Sequence, residues 1–160
     1  MEFPEEYDAW ISCDKIVDSS RLNYDAPKPG HKLEVPLVSV KPHPEKFILS
    51  VYEGARSSTI VLSVEDTRKV TMQTRHSSQP LVRIDIDDNL IHTNPDGKII
   101  KGSHVHLPIE GYGIAYAFPL KSDEGIMVAG SSDYVPSIFE AFRLFCHIDN
   151  QLNVRWGLGI

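Results

Sequence analysis

Three of the chain's seven histidines, His92, His104 and His106, stand close together in the sequence. In an extended strand, side chains two positions apart share a face, so His104 and His106 project together while Val105 points into the core. Between His92 and that pair lies Asn94-Pro95-Asp96-Gly97, with Pro second and Gly fourth, a pattern that fits a tight β-turn. A returning strand then brings His92 beside the other two. Three imidazoles meeting at one point permit two chemistries. They can ligate Zn²⁺ or a similar ion and leave a position open for water. Alternatively, two of them can divide general-acid and general-base roles, because imidazole titrates near neutral pH. Asp96, Asp85 and Asp87 are the nearby carboxylates that would orient a ring or complete a ligand set, which in the metal reading is His92, His104, His106 and Asp96. The plain alternative is a His-X-His on a wet strand face beside an ordinary turn.

Other side chains fit around this group. Arg83 and Arg75 are expected on neighbouring strands, where a guanidinium would hold a phosphate or carboxylate, or simply pair with an aspartate across the strands. Tyr112, Tyr116 and Phe118 alternate on one strand face, as a platform for a base or as core packing. Arg75, Asn94, Tyr112 and Tyr116 form the expected substrate-contacting set, and Arg83 joins the three histidines as catalytic.

Positioning these groups needs a sheet. From Phe47 the sequence is β in texture: Phe47–Tyr52, Thr59–Val64, Val70–Arg75 and Leu81–Asp87 are short runs rich in β-branched and aromatic residues, separated by turn-forming pieces. In the last run Val82, Ile84 and Ile86 share one face and Arg83, Asp85 and Asp87 the other, which predicts one buried and one wet sheet face. Lys98–Ile100, His104–Leu107, Tyr112–Leu120 and Leu152–Trp156 are expected to be further strands. A helix is expected from Pro4 to about Val17, with Pro4 in its first turn, Glu5 and Glu6 at the positive end of its dipole, and Tyr7, Trp10, Ile11 and Val17 as its buried stripe. Residues 18 to 45 are rich in proline and should be loop, with Lys32–Val40 pairing briefly at an edge. A second helix should follow a Ser131-Ser132-Asp133 cap, with Pro136 in its first turn and Ile138, Phe139, Phe142, Phe145 and Cys146 on its apolar face. The expected architecture is a single α+β domain: a helix and Pro-rich loop over 1–45, a strongly curved or barrel-like antiparallel sheet over 46–120, and a helix and tail over 131–160, with the two helices packed over the sheet.

Composition bounds the rest. The 160 residues are 41% hydrophobic and 24% charged, near the globular average. No apolar run is long enough for a membrane helix, and the acidic start lacks the features of a secretory signal, so the expected compartment is the cytosol with no membrane partner. Cys13 and Cys146 are expected to be buried free thiols. The net charge of −6, with no cluster of Lys or Arg, argues against broad non-specific nucleic-acid binding and leaves room for local contact only.

Named motifs narrow the field by failing. Gly102-Ser103-His104-Val105-His106-Leu107-Pro108 departs from the histidine-triad nucleotide hydrolases because Pro108 stands where their third histidine would be. His76-Ser77-Ser78 fits one motif of the two-histidine phosphoesterases, but His92-Thr93-Asn94 does not fit the second. The further residues of the cupin metal motif are absent, as are a phosphate loop and a nucleophile elbow. The run Leu81-Val82-Arg83-Ile84-Asp85, His92-Thr93-Asn94-Pro95-Asp96-Gly97, His104-Val105-His106 and Ala115-Tyr116-Ala117 resembles an uncharacterised family of small bacterial and phage-associated proteins, over about residues 47–120. That resemblance implies a mobile-element or defence setting and assigns no catalytic residue.

Two functions are carried forward. In the first, the histidines and Arg83 form a phosphodiesterase, a toxin- or defence-associated endoribonuclease with no fixed nucleotide cofactor and RNA as its partner. In the second, the chain is a non-enzymatic acidic interaction protein, such as a phage-encoded inhibitor that binds a bacterial nucleic-acid-guided defence complex, with a histidine-held Zn²⁺ as a structural element.

Overall fold

The computed structural model describes residues 1–40, 42–55 and 68–157. The expected strand Thr59–Val64 and the turn at Glu65-Asp66-Thr67 lie outside the described residues. Among the described residues three helices and eleven strands follow in chain order: α1 (Glu5–Ser12), β1 (Lys15–Val17), β2 (Asn23–Asp25), β3 (Lys32–Ser39), β4 (Lys46–Glu53), β5 (Val70–His76), β6 (Gln79–Ile86), β7 (Ile91–Thr93), β8 (Ile99–Lys101), β9 (His104–His106), β10 (Ala117–Pro119), α2 (Asp123–Ala129), α3 (Val135–Phe145) and β11 (Asn153–Arg155).

One seven-stranded antiparallel sheet, in the order β1-β3-β4-β5-β6-β9-β10, dominates the architecture. It ends at two different edge strands, so it is an open curved sheet, the curved alternative among the expectations. Its two faces are chemically opposite. On one face, Leu33, Val51, Met72, Ile84, Val105 and Phe118 stand in register across six strands. Val51, Met72, Ile84 and Val105 are fully buried, and Ile138, Phe139 and Phe142 of α3 join the same apolar cluster. On the other face, Lys32, Tyr52, Thr71, Asp85 and His104 form one row, and Glu34, Ser50, Gln73, Arg83 and His106 form the next. Period-two alternation in each strand separates these two populations.

Several expectations change. The helix from Pro4 stops at Ser12, and Lys15–Val17 leaves it as an edge strand, so Val17 is buried through the sheet. Lys32–Ser39 is an interior eight-residue strand between β1 and β4, longer and deeper than a brief edge pairing. Pro36 is tolerated there because it lies one residue past the last β1 partner, and its carbonyl still accepts from Asp18 N at 2.8 Å. Only Ala117–Pro119 of the expected strand Tyr112–Leu120 pairs with the sheet; residues 109–116 are loop. A short helix, Asp123–Ala129, precedes the expected one and is capped by Ser122, whose Oγ accepts from Gly125 N. The following helix starts after Tyr134 without a side-chain cap, with Pro136 in its first turn as expected. Asp85 and Asp87, expected on the wet side of their strand, are only 5% and 8% exposed.

The helix ends are fastened by one buried cation. Lys15 is 1% exposed, and its Nζ donates to Ile11 O at 3.1 Å, Cys13 O at 2.9 Å and Cys146 O at 2.9 Å. These are carbonyls from the ends of α1 and α3, where the helix dipoles favour positive charge. Burial pushes the amine below its ordinary value, with the nearby thiols of Cys13 and Cys146 acting in the opposite direction. Both thiols are free and buried, as the sequence suggested, and burial pushes the Cys146 thiol up to about 12. Lys15→Met keeps the length of the side chain but orphans three carbonyls, each of which carries a cost of about 1–3 kcal/mol when left unpaired. Urea titration should give a loss of at least about 2 kcal/mol with an unchanged m-value; a loss below about 0.5 kcal/mol would show that the three bonds contribute little.

Candidate functional site

The site grows out of the polar sheet face. Arg83 and Asp85 of β6 lie opposite His106 and His104 of β9 in antiparallel register, so all four side chains rise from the same face of adjacent strands. His92 reaches them from the hairpin β7–β8, where it is paired with Ile100. The His104 and His106 ring centroids are 5.0 Å apart, and those of His92 lie 5.5 Å and 4.8 Å from them. One ring nitrogen from each of the three falls within 4.8 Å of the others. The predicted convergence of His92, His104 and His106 is therefore present, with Val105 buried on the opposite face.

What holds each ring is a backbone carbonyl. His104 Nδ1 lies 2.9 Å from Gly102 O, His106 Nδ1 lies 2.9 Å from Ile114 O, and His92 Nε2 lies 3.0 Å from Ala115 O. A carbonyl oxygen only accepts, so these three nitrogens carry the hydrogen. Gly102 adopts φ 84°, a left-handed turn that permits its carbonyl to face the ring two residues on. The remaining nitrogens, Nε2 of His104 and His106 and Nδ1 of His92, are free of these carbonyl bonds. His104 is 1% exposed and the His106 side chain 11%, while His92 is half-buried beneath the hairpin.

Asp85 supplies the negative charge. Its Oδ2 lies 3.5 Å from His104 Nε2 and 3.4 Å from His106 Nε2. Thr71 Oγ1 donates to its Oδ1 at 2.8 Å, and Arg83 Nε sits 3.1 Å from Oδ1 and 3.0 Å from Oδ2. Burial alone would raise this carboxyl, but His104, His106, Arg83 and Thr71 together overcome that effect and hold it well below the usual carboxylate range. Asp85 also lines an open depression of about 350 Å³ with Tyr52, Lys69, Thr71 and Arg83. A second depression, of about 230 Å³, continues across Tyr52, Thr71 and Arg83 toward Lys32, Gln73 and Arg75. The carboxylate thus stands between the rings and an open polar groove.

Other predicted site residues lie elsewhere. Asp96, expected as the fourth metal ligand, caps its own turn by accepting from Lys98 N at 2.9 Å and lines a separate depression with Tyr116 and Phe118. The carboxylate at the rings is Asp85, because its strand and not the turn faces them. Asn94, expected to contact substrate, is 6% exposed and committed to the backbone: its Nδ2 donates to Ala117 O at 2.9 Å and its Oδ1 accepts from Ala117 N at 2.8 Å. Tyr112 and Tyr116 pack edge-to-face at 5.1 Å in the 109–116 loop. Arg75 lies 3.6 Å from Glu34 at the far end of the groove. Thr71 carries no signal in the sequence, because its place opposite Asp85 depends on a strand register that spacing alone does not give.

Residues 4–148 match the family described as "Family of unknown function (DUF6978)". The chain belongs to that family. No curated protein and no solved structure matches it. The matched span includes every residue of the histidine–aspartate cluster and all of the seven-stranded sheet, so the cluster lies within the part of the chain that the family defines.

Within this family member, Asn94 is the joint that seats His92. It bonds to both polar atoms of Ala117, the partner of His106 in the next strand. Asn94→Ala should therefore cost about 2–4 kcal/mol, from two orphaned buried backbone groups, and hydrogen exchange at Ala117 N–H should accelerate while the apolar-face amides stay protected. Unchanged protection at Ala117 would mean that the hairpin is held by other contacts.

Proposed function

We propose that this protein cleaves phosphodiester bonds, with the His92/His104/His106/Asp85 cluster as its reaction centre and Arg83 as the cation that meets the phosphate. The observation that supports this most directly is the sharing of Asp85: one ionised carboxylate faces two imidazoles on one side and lines an open groove with Arg83 on the other. Interacting titratable groups at the end of a concave surface are a recurring arrangement of catalytic sites. Arg83, at 44% side-chain exposure, retains donors beyond the Nε held by Asp85, and a planar guanidinium suits the paired oxygens of a phosphate.

The groove favours a short anionic segment. Lys32, Lys69, Arg75 and Arg83 line the two connected depressions, and half-exposed Tyr52 lies between them with an aromatic surface for a base. Such local contact is compatible with an acidic chain, because binding needs only a few phosphates at the groove. Single-stranded RNA in a bacterial or phage defence setting is the substrate in this proposal, and a cytoplasmic location goes with it. No helix among the described residues is long and apolar enough to cross a membrane.

A second reading is favoured by one specific observation. His104 is almost completely buried, and Ile91 and Ile99 on the outer side of the β7–β8 hairpin are 67% and 56% exposed. A cluster that only stiffens the hairpin would present this apolar surface to a protein partner, as in an inhibitor of a defence complex.

Cleavage of a labelled single-stranded RNA and of its 2′-deoxy counterpart separates the two readings. Wild-type protein should cleave at least one, and Arg83→Ala should lower kcat/KM by about 100-fold or more, the usual scale for losing a charge-stabilising donor. His106→Ala should abolish cleavage while the far-ultraviolet circular dichroism stays native. A folded wild-type protein without activity on either substrate would reject the enzymatic reading and leave the binding module.

A further inference from the structure

We infer that the cluster is a binding site for a divalent transition ion, held by His92, His104, His106 and Asp85. The inference deepens the phosphodiesterase reading by naming the ion at its reaction centre, but it rests on geometry that stands without any activity.

The argument begins with where the hydrogens must be. Each histidine gives one N–H to a backbone carbonyl, those of Gly102, Ile114 and Ala115. In neutral rings the other nitrogens, Nε2 of His104 and His106 and Nδ1 of His92, are therefore lone-pair donors. Imidazoles that ligate metals are held this way, with the outer N–H fixed by a carbonyl or carboxylate so that tautomer and ring direction are set in advance. Here all three rings have that support, one from Gly102 and two from the adjacent residues Ile114 and Ala115.

The second observation is the company these lone pairs keep. Asp85 Oδ2 lies 3.5 Å and 3.4 Å from the two Nε2 atoms. The carboxylate oxygen and the two Nε2 atoms thus converge from adjacent strands on one small volume, as the donor atoms of a metal site must. Thr71 Oγ1 is engaged with Oδ1, and Arg83 Nε bridges both oxygens at 3.1 and 3.0 Å, so the carboxylate is oriented with Oδ2 toward the rings. For ligands about 2.0–2.1 Å from a tetrahedral ion, neighbouring donor atoms are about 3.3–3.4 Å apart, close to the Asp85–histidine spacing seen here. His92 sits on the less buried hairpin; one ring nitrogen of each of the three histidines lies within 4.8 Å of the others, and Asp85 joins the group through the Nε2 atoms of His104 and His106.

The donor set selects the ion. Three imidazole nitrogens and one carboxylate oxygen suit Zn²⁺, Co²⁺ or Fe²⁺ and are poor for Mg²⁺ or Ca²⁺, which prefer all-oxygen surroundings. Neither cysteine takes part: Cys13 and Cys146 are buried at the ends of α1 and α3, beside Lys15.

Binding is read directly on the full chain, after chelator treatment and dialysis, by titration with ZnCl₂ in a calorimeter and with CoCl₂ in a visible spectrophotometer. Wild-type protein should bind one ion per chain, and the cobalt form should show the intense visible bands of a four- or five-coordinate site. His92→Ala removes the least buried ligand and is the variant best placed to stay folded. It should weaken binding by more than about 100-fold, beyond the 10–100-fold usual for an outer partner. Asp85→Asn should weaken binding as well, and His31→Ala, an exposed histidine outside the cluster, should leave it unchanged. Folded wild-type protein that takes up no ion overturns the inference, and so does equal uptake by wild type and folded His92→Ala. Ion binding without RNA cleavage would sustain the site while rejecting the phosphodiesterase reading. Cleavage by a protein that takes up no ion would do the reverse.

Discussion

A single carboxylate, Asp85, sets the terms for the polar half of this molecule. It is ionised and nearly buried, and a charge in that position is tolerated only where partners replace lost water. Those partners come from three strands: Thr71 from β5, Arg83 from β6 itself, and His104 and His106 from β9. Register therefore matters as much as residue type. A slip of one residue in β6 would turn Asp85 toward Met72 and Val105 and place Ile84 among the histidines. The polar row penalises every pairing but the observed one.

The rest of the architecture keeps that row in place. The apolar row on the opposite face, with Val51, Met72, Ile84 and Val105 fully buried, anchors the same strands from beneath. Lys15 gathers the ends of α1 and α3 at the sheet's β1 edge. At the other edge, β10 is made a fixed floor for the β7–β8 hairpin by the Asn94–Ala117 pair. Gly125 shows how close the packing is there: a Cβ at that position would lie 2.3 Å from the carbonyl oxygens of Pro119 and Leu120, so only glycine lets α2 follow β10 directly.

How much of this was legible follows from which rules are local. Alternation in Leu81–Asp87 and in His104–His106 is a property of each strand alone, and it correctly separated Val105 from the histidines and Ile84 from Arg83 and Asp85. The Asn94–Gly97 turn is likewise local, and it returned the chain as expected. Asp96 lies away from the rings and Asp85 beside them because sequence nearness is no guide to cross-strand register; Asp85 is farther from the histidines along the chain and adjacent to them across it. The overlong first helix failed for a similar reason. Lys15-Ile16-Val17 has no helix breaker before it, and only the pairing with Leu37–Ser39 makes it a strand. The parallel pairing of β2 with β11 joins residues from opposite ends of the chain, and no local signal announces it.

The polar row also bears on why the cluster exists at all. Replacing a buried ionic group with apolar residues of similar volume is often neutral or stabilising. Valine and isoleucine at positions 85, 104 and 106 would fit a sheet already rich in them, and the hairpin above would then pack on hydrocarbon. The chain instead places four titratable side chains beneath that hairpin, fastens each ring to a separate carbonyl, and leaves the carboxylate in contact with an open groove. Stability alone does not call for such an arrangement, whereas a centre that must hold a charge does. Rings locked in one tautomer and orientation lose little entropy when that charge arrives, and rigid support from strands, not loops, is what keeps such a site ready.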